Sequence, residues 1–138
     1  MKRIAREKKT VEAMAKRYCA DEQHGGHRKK LCSTCAELLS YAHERLDRCI
    51  FGEGKPTCAL CPVHCYQPVR REEITKVMRF AGPKMLFSHP YLAVTHLIDS
   101  KKKLSEKVLS YQKKKMWNQE LHAKMKADKL KADQRRQR

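Results

Sequence analysis

Seven cysteines, Cys19, Cys32, Cys35, Cys49, Cys58, Cys61 and Cys65, carry the chemistry of this 138-residue chain. All fall between positions 19 and 65, and the last 73 positions have none. Thiols used only as small buried apolar groups would be scattered rather than bunched. The start of the chain offers no apolar stretch for a signal peptide and no window approaches about 18 uninterrupted apolar residues, so no membrane span and a cytoplasmic location are expected. In a reducing compartment disulfides are rare, and an odd number of cysteines leaves one unpaired in any case. The pattern therefore predicts thiolate ligands of one or two metal centres.

The densest stretch is Cys58-Ala-Leu-Cys61-Pro-Val-His-Cys65, preceded by Cys32-Ser-Thr-Cys35. Two intervening residues let a short turn aim both sulfurs at one ion, at about 2.3 Å each for zinc. Cysteine-only sites serve zinc and iron–sulfur clusters alike. Zinc would staple a binding module and contribute folding free energy directly. The spacing of cysteine and proline at Cys58 to Pro68 is similar to that of ferredoxin-type loops without matching it, since a fourth ligand must come from elsewhere. His64 stays outside the ligand set, and His43, His89, His96 and His122 have the spacing of ordinary helical residues.

These ligands need elements to position them. Ile4, Val11, Met14, Ala15 and Tyr18 recur on one helical face and predict an amphipathic helix from Ile4 to Cys19. Asp21 to Lys30, containing Gly25-Gly26, reads as a polar loop. Thr34-Cys-Ala-Glu37 has the form of a capping box and predicts the start of a second helix, continued by Leu38, Leu39, Ala42 and Leu46 to about Cys49. Phe51 to Pro68 reads as an irregular loop organised by its ligands. A third helix over Arg70 to Ala81 carries the stripe Ile74, Val77, Met78 and Ala81, with Gly82-Pro83 expected to end it. Pro83 and Pro90 each suit the first turn of a following helix. Leu92, Val94, Leu97 and Ile98 are expected in the core, and a long, mostly exposed helix follows Ser100. The fold class is all-α, with a cysteine-rich helical domain over 1–99 and a basic helical tail over 100–138.

Helix geometry divides the ligands. Cys35 and Cys49 would lie roughly 21 Å apart along an unbroken second helix at 1.5 Å per residue. An antiparallel hairpin brings Cys19 to Cys32 and Cys35, with His24 or His27 available as a fourth ligand, and leaves Cys49, Cys58, Cys61 and Cys65 as a second group. A second helix that unwinds early, or a loop folded back along it, would instead merge the ligands into one centre.

The formal charge of +17 is unevenly placed, for residues 100 to 138 hold 11 Lys and 3 Arg against 4 acids. Such a surface attracts nucleic acid or an acidic protein by long-range electrostatics, and it also keeps a chain soluble. A zinc-stabilised nucleic-acid-binding module would use Lys101, Lys102, Lys103, Lys113, Lys114, Lys115, Arg135, Arg136 and Arg138 for phosphate contacts. Paired cysteines can exchange disulfides, yet the strand and helix pattern of a thioredoxin-like fold is missing. With no Gly-rich phosphate loop, carboxylate pair or nucleophile motif, the chain reads as non-enzymatic.

The run Cys58 to Tyr66, together with Arg6-Glu-Lys-Lys-Thr10, Tyr18-Cys19, Leu31-Cys32, Tyr41-Ala42, Lys55-Pro-Thr-Cys58, Val77-Met-Arg79 and Ala81-Gly-Pro83, resembles the nitrous oxide-stimulated promoter family of small bacterial proteins. The likeness covers about residues 4 to 99. Ile50 stands where the family pattern leads one to expect proline. The resemblance implies expression under nitrosative or nitrogen-oxide stress. Because nitric oxide attacks iron–sulfur clusters and metal thiolates, it also favours an iron–sulfur cluster over zinc.

Overall fold

The computed structural model describes residues 2–21 and 30–136. Among these, five α-helices and two short 3-10 turns account for all regular structure, with no strand. They are α1 (Arg3–Asp21), α2 (Ser33–Asp47), α3 (Pro68–Ser88), α4 (Pro90–Lys101) and α5 (Glu106–Arg136), with the turns Gly52–Gly54 and Cys58–Leu60 in the loop after α2. No described helix is long and apolar enough to cross a membrane. The all-α class expected from the periodicity is the observed one.

Helix α1 is the centre of the packing and lies against α2, α3 and α4. Its buried residues Glu7, Val11, Ala15 and Cys19 succeed one another at intervals of four, the spacing that puts side chains in one row. The buried row of α2 is Cys35, Leu38, Ala42 and Leu46. Lys8 of α1 reaches Asp47 at the end of α2, while Cys19 meets Cys32 at its start, so the two helices run antiparallel. Val11, Leu38, Ala42, Ile74 and Val77 form the shared core, with Met14, Tyr18, Leu39, Tyr66 and Met78 packed around it. Each large apolar side chain buried here contributes about 1.5–3 kcal/mol.

Three boundaries depart from the sequence pattern. The Thr34 capping box does not form: Cys32 is the residue that caps α2, in extended conformation, with its sulfur accepting the Cys35 N–H at 3.5 Å. A thiol thus does the work expected of a hydroxyl. Helix α2 ends at Asp47, and Cys49 lies in the turn beyond it.

The third departure is larger. Gly82-Pro83 does not end α3, which starts at Pro68 and continues through Pro83 to Ser88. Ile74, Val77, Ala81 and Met85 form one buried row across the proline, so packing holds the helix where local propensity would stop it. Gly82 helps, because the clash that usually bars a helical residue before proline is with its Cβ. Pro90, by contrast, does occupy the first turn of α4.

Helix α4 corrects the expected core. Val94, Leu97 and Ile98 are about half exposed, Leu92 is only partly covered, and the one fully buried residue of α4 is Asp99. Apolar spacing alone points α4 toward the core, but the inward position is held by the carboxylate of Asp99, whose partners Arg6 and Lys102 lie outside α4. Helix α5 is tied to the cysteine-rich loop at its start, where Phe51 and Tyr111 meet edge to face at 5.8 Å between centroids and Lys115 donates to the Pro62 carbonyl at 2.9 Å. Val108 is buried, and every described residue from Met116 onward is exposed.

Candidate metal centre

Burying the rows of α1 and α2 determines where their terminal thiols go. Cys19 closes the α1 row and Cys35 opens the α2 row, at the adjoining ends of antiparallel helices, and they are 2% and 4% exposed. Cys32 completes the group one turn before Cys35. The three sulfurs all lie within 4.8 Å of one another. Tetrahedral thiolates at about 2.3 Å from a shared ion stand roughly 3.8 Å apart, so an inward shift of about 1 Å closes the set on a metal. The donor set therefore fits a thiophilic cation, with a fourth position to fill. His24 and His27, the expected fourth ligands, lie outside the described residues.

The backbone prepares this site for negative charge. Cys32 N–H donates to the Cys19 sulfur at 3.3 Å and Cys35 N–H to the Cys32 sulfur at 3.5 Å. Both donors lie at the start of α2, where the helix dipole also favours an anion. Opposing them, burial first and then the hydrogen bond and charge of Cys32 and Cys19 push the Cys35 thiol up to about 12. Three adjacent sulfurs cannot all ionise without a counter-charge. A bound cation would supply that charge and reverse the balance, since a coordinating thiol gives up its proton.

Cys49, Cys58, Cys61 and Cys65 are arranged differently. They lie on the loop between α2 and α3, and Cys58 and Cys65 are exposed. Loss of solvent around the Cys65 sulfur, followed by the nearness of Cys61 and Cys49, pushes its thiol up. Cys58 is pushed up as well, chiefly by desolvation, with Cys61 and Cys65 adding to it. Cys61 donates to the Val63 carbonyl at 3.3 Å. These four are neighbours, but among the described residues Cys19, Cys32 and Cys35 alone bring three such ligand atoms within 4.8 Å. Helix α2 stays wound to Asp47, so Cys35 and Cys49 flank it at opposite ends. None of the seven cysteines, all among the described residues, is in a disulfide.

The histidines set aside have other neighbours. His43 Nε2 lies 3.3 Å from the Lys8 carbonyl, and His96 Nδ1 is 3.9 Å from Glu7. His64 is exposed beside Cys65.

Of the basic residues considered for phosphate contacts, Lys101, Lys103, Lys113, Lys114, Arg135 and Arg136 are exposed. Lys102 pairs with Asp99 at 2.8 Å, Lys115 is held by Pro62, and Arg138 lies outside the described residues.

The buried polar residues among those described are Glu7, Thr10, Lys55, Thr57 and Asp99, and all but Asp99 stand in motifs that carry the family resemblance. Helical spacing itself signals Glu7, which occupies the position four before Val11 in an otherwise apolar row, whereas nothing local signals the burial of Asp99.

Helices that converge three sulfurs at one end of a hairpin define a small all-α protein with a cysteine cluster able to hold a metal ion. The chain belongs to the nitrous oxide-stimulated promoter family, whose profile matches residues 2–109. It is 47% identical over 114 residues to the Escherichia coli (strain K12) protein described as "Uncharacterized protein YgbA", covering 83% of this chain and 95% of that one. The profile extends to the first turn of α5, ten residues beyond the resemblance read from the motifs. No solved structure matches.

Proposed function

We propose that this chain is a non-enzymatic metal-binding protein that holds an iron–sulfur cluster and acts in the response to nitric oxide or related nitrogen-oxide stress. The observation that carries the metal-binding part is the convergence of Cys19, Cys32 and Cys35 within 4.8 Å, with two backbone N–H groups directed at the sulfurs. The family description supports the nitrogen-oxide part, because it ties these proteins to nitrous oxide-stimulated expression. A cluster would supply chemistry sensitive to nitric oxide. The chain's part is to hold the thiolates, to shield Cys19 and Cys35 from water, and to direct the Cys32 and Cys35 N–H groups at the Cys19 and Cys32 sulfurs.

An absorption spectrum with iron, zinc and sulfide analysis of anaerobically purified protein tests this reading. Iron and sulfide, with visible absorption bleached by nitric oxide, are the expected result. Colourless protein that contains only zinc overturns the cluster.

The second reading is a zinc-stabilised module that binds nucleic acid. It draws on the exposed basic residues of α5 and on sulfurs packed closely enough for a single ion. Its signature is binding that weakens steeply with salt, and no binding to DNA or RNA at low salt removes it.

A further inference from the structure

The first turn of α1, the loop from Gly54 to Thr57 and the linker between α4 and α5 meet around a cavity of about 130 Å³. Arg3, Lys55, Thr57, Asp99, Lys102 and Ser105 are among its walls. Lys55 and Thr57 are 5% and 3% exposed. Arg3 Nε and one of its terminal nitrogens, Lys55 Nζ and Thr57 Oγ1 are buried, and none has a hydrogen-bond partner among the described residues.

The acids nearby do not satisfy these donors. Asp99 is taken by Arg6 and by Lys102. Glu7 is shared at longer range, 4.0 Å from Arg3, 3.6 Å from Lys55 and 3.9 Å from His96. Four permanent cations, Arg3, Arg6, Lys55 and Lys102, thus face two carboxylates. At the exposed rim a third acid, Glu53, accepts the Arg3 backbone N–H, and a fifth cation, Lys103, lines the cavity, so the surplus of positive charge remains. A buried cation with unmade hydrogen bonds is costly, and guanidinium and ammonium groups can only donate. The matching ligand is an acceptor with negative charge.

We propose that this cavity is a binding site for a small free oxyanion of the phosphate or sulfate type, held by Arg3, Lys55 and Thr57. Water would satisfy hydrogen bonds but leave the excess positive charge in place. An oxyanion does both, and Arg is suited to paired contacts with its oxygens. Lys55 and Thr57 precede Cys58 in the chain, so a bound anion would tie the first turn of α1 to the cysteine-rich loop.

Titration calorimetry on the full chain with inorganic phosphate, at ionic strength held constant with sodium chloride, tests the site. Saturable binding is expected, weakened about tenfold in Thr57→Val and in Lys55→Met. Lys124→Gln, on the exposed part of α5, should bind as the parent does. Thr57→Val removes a hydroxyl that has no partner without the anion, so its stability in phosphate-free buffer should be unchanged or higher. Adenosine monophosphate should bind no more tightly than phosphate. Absence of saturable binding, or equal phosphate affinity in Thr57→Val and the parent, overturns the site. Tighter binding of the nucleotide overturns the assignment to a free anion.

Discussion

Cys35 combines two roles that pull on the same sulfur, since it is a buried member of the α2 row and a member of the three-thiol cluster. Its thiol, pushed up to about 12 by burial and by its neighbours, holds its proton tightly in the metal-free chain. Protons therefore compete with metal, so bound metal should be lost as pH falls and retained as it rises, which metal analysis after dialysis across pH 5 to 8 would check. Cys35→Ser should lower metal affinity at this centre by at least about tenfold, because a coordinating sulfur is removed. Asp99 behaves in the opposite sense. Burial alone would raise its carboxyl, but hydrogen bonds from Lys102 and Arg6 outweigh it and hold the group below its ordinary value of 3.8. That stability is present above the unfolded carboxyl range and is lost as pH falls through the lower folded value. Asp99→Asn should cost about 3 kcal/mol near neutral pH by stranding Arg6. Urea denaturation of this variant should also show a flatter stability profile below pH 4 than the parent.

At the scale of elements, α3 holds the clearest conflict between local propensity and packing. Pro83 lacks the N–H that would bond to the Arg79 carbonyl, yet Ala81 and Met85 on either side are fully buried. Pro83→Ala restores that hydrogen bond and should stabilise the chain by about 1–2 kcal/mol in urea denaturation, after allowing for the greater freedom of alanine in the unfolded state. A loss of stability would mean that the Pro83 ring contributes packing that alanine cannot replace. The helices α1 and α2, and the grouping of Cys19 with Cys32 and Cys35, were legible because an apolar row at helical spacing also fixes the direction of the thiol at its end. The passage of α3 through Gly82-Pro83 was not legible, since it depends on contacts with α1 that no local pattern encodes. The burial of Asp99 was hidden for a similar reason: its partners Arg6 and Lys102 come from different parts of the chain.

Across the whole molecule, a packed body carries a basic helix that projects from it. Helix α5 is 31 residues, about 46 Å at 1.5 Å per residue, and is exposed from Met116 onward. Deleting residues 117–138 should leave the melting temperature within about 2 °C of the parent, because exposed helix contributes little to packing. The same deletion should reduce the salt dependence of any binding to polyanions, measured by retention on heparin at increasing sodium chloride. The hairpin of α1 and α2 bears on how the protein is made. Its three clustered sulfurs all lie within the first 35 residues. They are at most 16 residues apart in sequence, and contacts this close are among the first a chain can form. If the three thiols hold a metal as proposed, its capture would not have to wait for the finished fold, and metal supply during folding would decide how much of the protein matures.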